Sequence, residues 1–485
     1  MLGKLKTLLG KLNIFSVEKM VPGSVRVGEI PSTKQAYRDV LQIAFPSVLE
    51  MVLLSLVGSA DTVMIGALGP VAIAAVGLTT QPRMLLLSVF FALNTGVTAV
   101  VARRKGEGRQ DKANEAVRNA LIVIIALSLV LMAAILPFSK QLMRAFGAEE
   151  DTLMDASLSF LIVSSVLPVN AAALCINAAQ RGIGNTRVAL YSNVCSNIVN
   201  IVFNYLLIEG RLGFPALGVA GDAIGTALGF IAGFAVSLFS ITSRKSIGSF
   251  LHLSFRDDWR LQKDSLKAIS KIGGNAMIEQ VAMRTGFLLY AYFIARLGTL
   301  VFAAHQICMQ FLSISFSFGD GLGIAGTSLV GQMLGKKRHD LAMMYGKISQ
   351  RMALVAALIL ASFIILFRFP LVSVFINTGA NTPEEVEFVR LLSARVMLMV
   401  AAFQPLQMSS VVISGALRGA GDNLFVAGIM LICVTFIRPT LAFIGIYFLG
   451  LGLFGAWAAG LIDMTIRLTF VYIRYNSGKW FFIKV

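Results

Sequence analysis

Residues 67–77 read ALGPVAIAAVG, and residues 296–306 read RLGTLVFAAHQ. A shift of 296 − 67 = 229 residues places Leu68 on Leu297, Gly69 on Gly298, Ala74 on Ala303 and Ala75 on Ala304. The same shift carries Glu50 to Glu279, Thr98 to Thr327, Val101 to Val330 and Gly106 to Gly335 without a gap. Further along the shift becomes 405 − 168 = 237, which brings Pro168 onto Pro405 and QRGIGN (180–185) onto LRGAGD (417–422). Glu on Glu and RGxG on RGxG are polar landmarks that chance matching of apolar sequence does not produce, so the chain is two copies of one unit.

Each copy is apolar. The 485 residues are 56% hydrophobic and 14% charged, against about 25% charged in an ordinary soluble protein. A soluble monomer of this composition would expose far more apolar surface than such proteins tolerate. A bilayer-spanning helix needs about 20 mostly apolar residues, and the chain offers twelve runs of that size. They lie near 37–64, 72–101, 117–138, 155–179, 188–208, 218–243, 268–294, 300–331, 346–367, 388–416, 424–449 and 452–475. The expectation is an all-α polytopic membrane protein with twelve transmembrane helices in two pseudo-twofold-related six-helix lobes. An N-terminal tail (1–34) precedes an N-lobe (35–243), a linker (244–267), a C-lobe (268–476) and a C-terminal tail (477–485). Six helices per copy is an even number, so both copies insert with the same orientation. Such parallel repeats place substrate between rocking halves.

The net charge is 42 − 25 = +17, and its distribution explains it. Lys4, Lys6, Lys11, Lys19, Arg26, Lys34 and Arg38 precede the first span; RRKGEGRQDKANEAVR (103–118), the segment from Arg244 to Lys271 and GKKRHD (335–340) follow spans two, six and eight. The alternate loops are nearly free of Lys and Arg, which puts both termini in the cytoplasm. The basic edges face anionic lipid headgroups, and no nucleic-acid partner is needed to account for them. The opening MLGKLKTLLGKLNIF fits either a surface-lying amphipathic helix or a free tail. The four Cys (175, 195, 308 and 433) lie in apolar runs and read as small buried hydrophobes, and three scattered His offer no metal cluster.

Ionisable groups inside a bilayer are costly, about 2.5–3.5 kcal/mol each on insertion scales, and need an explanation. The first half carries Glu50, Asp61, Arg83, Asn170, Asn193, Asn197, Asn200, Asn204, Asp222 and Thr226; the second carries Glu279, Arg284, Gln310, Asp320, Arg395, Gln404, Gln407, Arg438, Asp463 and Arg467. Asp61 lies about 7.5 Å below the outer end of its span at 1.5 Å per residue. Asn200 and Asn204 share one face of span five, and Thr226 falls at similar depth in span six. One carboxylate with amide and hydroxyl oxygens makes a cage for a proton or Na⁺. Asn193 and Asn197 read as interhelical glue. Glu50 and Arg83 come out at similar depth in adjacent helices, which fits a structural ion pair and a functional one equally. Glu279 and Arg284, five apart, either pair imperfectly or leave Glu279 facing a cavity. Asp463 and Arg467, four apart, pair most simply with each other. Asp320, among the glycines of GDGLG, suggests a broken helix. Pro46 removes a backbone hydrogen bond and is expected to bend the first span.

Taken together, Pro46 followed by SADTVMIGALGPVAIAAVG (59–77), VARRKGEG (101–108), VNIVFNY (199–205), GVAGDAIGTA (218–227), MIEQ (277–280), LGTLVFAAHQ (297–306), LVGQMLGKKR (329–338) and ISGALRGAGD (413–422) resemble the multidrug and toxic compound extrusion (MATE) family over nearly the whole chain after residue 35. The resemblance implies a twelve-helix antiporter that exports organic, often cationic, compounds in exchange for H⁺ or Na⁺, with no cofactor besides that ion. It implies that Asp61, Asn200, Asn204 and Thr226 form the cation-coupling site, that Pro46 is the hinge, and that Glu279, with Arg284 and Gln407 nearby in the second half, handles substrate or cation. Gln407 stands where one branch of the family has an acid, and Asn204 where some members have one, which favours coupling through the first lobe. The expected partners are small organic substrates and membrane lipids, the expected state is a monomer, and the expected location is a bacterial-type plasma membrane.

Three other classes fit the sequence less well. A lipid-linked oligosaccharide flippase of the same superfamily would want a cationic cavity, which Arg284 and Arg395 keep open. A membrane-embedded enzyme lacks support: no Gly-rich phosphate loop, HExxH or Ser/His/Asp set occurs in a fitting context. A channel is disfavoured by the two-lobe repeat.

Overall fold

The computed structural model describes residues 15–21, 23–66, 68, 70–243, 249–254, 256–375 and 383–483, with the side chains at 24, 55–63, 66, 70, 71, 73, 74 and 151 outside that description. Among the described residues the regular structure is entirely helical. The long helices are α1 (Thr33–Gly66), α2 (Pro70–Gly106), α3 (Gln110–Ile135), α4 (Glu150–Ser165), α5 (Leu167–Gly182), α6 (Thr186–Leu207) and α7 (Gly218–Thr242) in the first half, with a short helix at Ser139–Ala145 following α3. The second half contributes α8 (Lys263–Ala295), α9 (Thr299–Gly335), α10 (His339–Ser373), α11 (Pro383–Gly419), α12 (Asn423–Met430), α13 (Arg438–Phe443) and α14 (Gly452–Asn476). π-helical turns at Leu431–Ile437 and Ile444–Phe448 join α12 and α13 into one rod, Asn423–Phe448. Helices α4 and α5 meet at a 51° bend. Counting the rod and the bent pair once each, twelve helical spans fall on the twelve apolar runs.

Among the described residues, eight of these are long and apolar enough to cross a membrane, and the bent pair makes nine. The remaining three, α1, α6 and α8, include the helices richest in polar side chains. Helix α6 carries Asn193, Asn197, Asn200 and Asn204, and α8 begins with Lys263, Asp264, Lys267 and Lys271. In α6 those polar groups are spent inside the bundle, as the site below shows, whereas the four charged side chains at the start of α8 are exposed.

The repeat is present in three dimensions. Starts at 70 and 110 in the first half recur at 299 and 339, a shift of 229. The α5 end at 182 and the α6 start at 186 recur at 419 and 423, a shift of 237. The hydroxyl of Thr98 donates to the carbonyl of Ala178 (3.0 Å), and that of Thr327 donates to the carbonyl of Gly415 (2.7 Å). Thr98 and Thr327 differ by 229, Ala178 and Gly415 by 237, so one interhelical bond is written twice.

The chain divides into two compact units, Pro46–Gln280 and a second made of Met1–Phe45 with Val281–Val485. We call them the N-unit and the C-unit. The divisions fall inside α1, before Pro46, and inside α8, after Gln280. Helix α1 is continuous through Pro46, which is buried. In the C-unit, the start of α1 is held by the Tyr345 hydroxyl, which donates to Asp39 (2.7 Å). The segment before it buries Val17, Met20 and Val21, with Lys347 donating to the Met20 carbonyl (3.0 Å) and the Val27 N–H to Asp340 (3.2 Å). In the N-unit, the start of α8 is held by Ser265, which donates to Glu115 (2.7 Å). The C-unit core is aromatic: Trp457 packs on Phe403 and His305, and His305 on Tyr290. Helix α9 runs without a break through GDGLG, so the interruption expected at Asp320 does not occur.

Candidate functional site

Helices α6 and α7 form the heart of the N-unit. Helix α7 carries Gly221, Gly225, Gly229 and Gly233, one on every turn, and this small-residue stripe lets the two backbones meet. A Cβ on Gly221 would stand 2.6 Å from the Leu207 carbonyl oxygen, and one on Gly229 would stand 2.7 Å from that of Ser196. A Cβ on Gly225 would collide with the Asn204 amide oxygen. The glycines thus make room for polar side chains as well as for backbone.

Into that seam the helices place two rungs. Asn200 Nδ2 donates to Thr226 Oγ1 (3.1 Å), and Asn204 Nδ2 donates to Asp222 Oδ1 (2.9 Å). Asn200 and Asn204 are four apart, as are Asp222 and Thr226, and the helices run antiparallel, so the pairs align. Asn204, Asn200 and Asp222 are buried. In a low-dielectric interior an amide that donates to a carboxylate offsets part of the cost of its charge.

Beside the rungs lies a cavity of about 350 Å³. Asn200, Asp222 and Thr226 form one wall, with Ser196 and Asn197 beside them; Thr80 and Arg83 of α2 line it too, and Ile65, Val76 and Phe230 supply apolar surface. The structure therefore brings Asn200, Asn204 and Thr226 together and adds Asp222 to them. Asp222 stood among the intramembrane polar residues of the sequence but outside the expected cation set. Its four-residue spacing from Thr226, matching that of Asn200 and Asn204, was the available signal. The backbone of Asp61 lies in α1; its side chain is outside the described residues.

The expected pairing of Glu50 with Arg83 is corrected. Glu50, fully buried, receives Arg181 and Asn193 on the same oxygen, the latter at 2.6 Å. Arg83 is in the cavity wall instead. Equal depth in two neighbouring helices does not fix the direction a side chain takes around the helix axis, and Arg181 reaches Glu50 from the C-terminal end of α5. The signal for Arg181 was the RGxG motif, read only as a landmark of the repeat. Asn193 is the glue residue expected, while Asn197 lines the cavity.

In the second half Glu279 and Gln407 are buried and Arg284 is exposed. Both amide atoms of Gln407, like those of Gln404, lack a hydrogen-bond partner among the described residues. Asp463 pairs with Arg467 as expected (2.8 Å), and its same oxygen also takes Arg438 at 2.6 Å. All three are almost fully buried. Arg438 lies against the rings of Phe287 and Tyr290, and Arg467 donates to the Met430 sulfur (3.2 Å). Among the described residues no three His, Cys, Asp or Glu side chains group as metal ligands. The N-unit cavity instead offers a carboxylate with amide and hydroxyl oxygens, donors suited to a proton or a hard monovalent cation.

Comparison with known proteins places this geometry. A sequence model described as MatE matches residues 46–206 and 276–444, one stretch in each copy of the repeat. The "Probable multidrug resistance protein NorM" of Thermotoga maritima is 29% identical over 458 residues, 93% of this chain and 94% of that protein. The "Multidrug resistance protein MdtK" of Yersinia enterocolitica is 26% identical over 392 residues, 80% of this chain and 82% of that protein. Among solved structures, an outward-facing multidrug resistance MATE family transporter of the MOP superfamily superposes with a TM-score of 0.83 at 19% identity, covering 92% of this chain and 97% of that one.

Proposed function

The chain belongs to the MatE family of integral membrane transporters, and from that premise we propose that it is an antiporter that exports organic compounds, often cationic, in exchange for H⁺ or Na⁺. The observation that carries the reading is the pair of rungs, Asn200–Thr226 and Asn204–Asp222, of which Asn200, Thr226 and Asp222 line one N-unit cavity and Asn204 stands behind them. The coupling ion is taken at Asp61, with the oxygens of Asn200, Asn204 and Thr226 as its surroundings, and Asp222 as a second carboxylate. Its arrival favours bending of α1 at Pro46, the residue at which α1 passes from one compact unit to the other. The cargo leaves outward, the ion leaves inward, and the loaded form returns. Ion and cargo oppose one another's binding, by the same factor in both directions. The protein sits in a bacterial-type plasma membrane with both termini cytoplasmic, and works as a monomer without a further cofactor. The flippase alternative is not favoured, because the two relatives described above bear multidrug-resistance names.

The test is dye efflux from proteoliposomes holding the purified chain, first under a pH gradient alone and then under a Na⁺ gradient alone. One of the two gradients drives efflux in the wild type, and Asp61→Asn abolishes it while the melting profile is kept. Extrusion by that variant at the wild-type rate would refute the role of Asp61; transport indifferent to every ion gradient would refute antiport.

A further inference from the structure

Helix α10 enters the apolar part of the C-unit with two cations on one face. Lys347 and Arg351 are four residues apart, about 12 and 18 Å along the helix from His339 at 1.5 Å per residue, and the apolar run expected to cross the membrane begins at 346. Both are half-buried. Like charges at this spacing repel one another. Among the described residues no carboxylate bears on either: Lys347 faces Arg351, and Arg351 faces the hydroxyls of Tyr37 in α1 and Tyr472 in α14. The acids at this end of the C-unit are engaged elsewhere, Asp39 by Tyr345, Asp340 by Arg338 and Asp422 by Arg474. Arg351 Nη1 and the Tyr37 hydroxyl are buried atoms with no hydrogen-bond partner among the described residues. Lys347 donates to the Met20 carbonyl (3.0 Å), which leaves two of its three N–H groups.

The other copy of the repeat shows a balanced version of the same place. The 229-residue shift carries Lys347 onto Arg118, Arg351 onto Ile122 and Tyr37 onto Leu266. Arg118 is ion-paired with Asp257 at 3.0 Å. The N-unit thus has one cation with its own carboxylate, where the C-unit has two cations, a tyrosine and no acid. Half-buried charge without a counter-charge is costly, and an anion from outside the chain removes that cost. Guanidinium, ammonium and hydroxyl together are the donor set of a phosphate site. Basic pockets between membrane helices near the surface take phosphate-bearing lipid heads.

We propose that Lys347, Arg351 and Tyr37 bind a phosphate group, carried by an acidic phospholipid or free in solution, against the segment that precedes α1. The site is separate from the cavity of the N-unit and does not depend on the identity of the coupling ion or the cargo.

The test uses the purified full chain in dodecyl maltoside, a detergent without phosphate. One arm counts retained dioleoyl phosphatidic acid by native mass spectrometry, with dioleoylglycerol as the phosphate-free control. The other titrates inorganic phosphate and follows the melting temperature. The wild type is expected to retain phosphatidic acid over dioleoylglycerol, or to be stabilised by inorganic phosphate. Arg351→Gln and Lys347→Gln each weaken that binding by about tenfold, the scale of one charged hydrogen bond, and Arg351→Lys weakens it less. Lys267→Gln, which removes an exposed cation at the start of α8, leaves it unchanged. Lipid retention without a response to phosphate assigns the site to a headgroup. A response to phosphate without lipid retention assigns it to the soluble ion, and a response in both arms shows that the phosphate group suffices. A response in neither arm, equal retention of the two lipids without a response to phosphate, an equal loss in Lys267→Gln, or unchanged binding in folded Arg351→Gln would each overturn the proposal. If Arg351→Gln does not fold, Lys347→Gln and the wild-type comparison decide.

Discussion

Helices α6 and α7 of the N-unit and the α12–α13 rod and α14 of the C-unit are the same pair of elements in two copies. Their starts differ by 423 − 186 = 237 and 452 − 218 = 234. At those shifts Asn200 and Asn204 become Ile437 and Leu441, and Asp222 and Thr226 become Ala456 and Gly460. In the other direction Arg438, Asp463 and Arg467 become Ile201, Gly229 and Gly233. One backbone plan thus carries two opposite chemistries. The N-unit pair puts two glycines and an isoleucine where the C-unit has its buried charges, and borders a cavity walled by amides, hydroxyls, one acid and one guanidinium. The C-unit pair binds one carboxylate oxygen between two guanidiniums against aromatic rings. Interhelical hydrogen bonds inside membranes average only about 0.6 kcal/mol, whereas breaking a buried ion pair costs about 3–5 kcal/mol. The first arrangement can exchange partners during a transport cycle. The second holds still.

The largest effect expected from this contrast is at Asp463. Asp463→Ala strands two arginines in the C-unit interior and should destabilise the protein by about 3–5 kcal/mol, seen as a fall in melting temperature and in folded yield. A variant that melts normally yet no longer transports would break the comparison by making the triad a working part. Next is Gly221→Ala. Its methyl would meet the Leu207 carbonyl oxygen, which is backbone and cannot rotate away. Overpacking of this kind costs about 1–3 kcal/mol. Here it should also spread the rungs, so efflux falls further than stability; equal losses in both would make the stripe a packing device only. The third is Asp222→Asn. It keeps a hydrogen-bonding group opposite Asn204 but removes the charge, so efflux of a cationic dye should drop about tenfold, the scale of a charged hydrogen bond, with melting little changed.

How much of this could be read from the chain depends on which physical rule speaks. Twelve spans and the repeat were legible because span length and landmark residues are one-dimensional properties. The meeting of Asn200, Asn204 and Thr226 was legible because four-residue spacing fixes a helix face and the family motif names the positions. Glu50 was misassigned because depth says nothing about azimuth, and its partner Arg181 sits in a motif whose repetition masked its chemistry. Arg438 escaped for a similar reason: Asp463 and Arg467 already satisfied the local rule on one helix, and nothing in spacing announces a third member from another. The cavity at Arg83 is a property of four helices at once. Its one trace in sequence was a charge in the middle of an apolar run.

The smallest expected effect is the sharpest probe of the contrast. Asn200→Ala removes one rung and should cost about 0.6 kcal/mol, near threefold in any equilibrium it touches. Thr226→Val removes the same rung from the other side. If the bond matters only as a pair, the double variant should melt no lower than the worse single variant, a coupling close to the whole effect of either. The same cycle run on transport separates two roles. If the oxygens of Asn200 and Thr226 each also face the coupling ion, their losses in ion dependence should add although their losses in stability do not. The ion concentration for half-maximal efflux in the four proteins, set beside their melting temperatures, is the measurement. Additivity in neither quantity would mean that this rung is plain interhelical glue, and the difference between the two units would then rest on Asp222 and Arg83 alone.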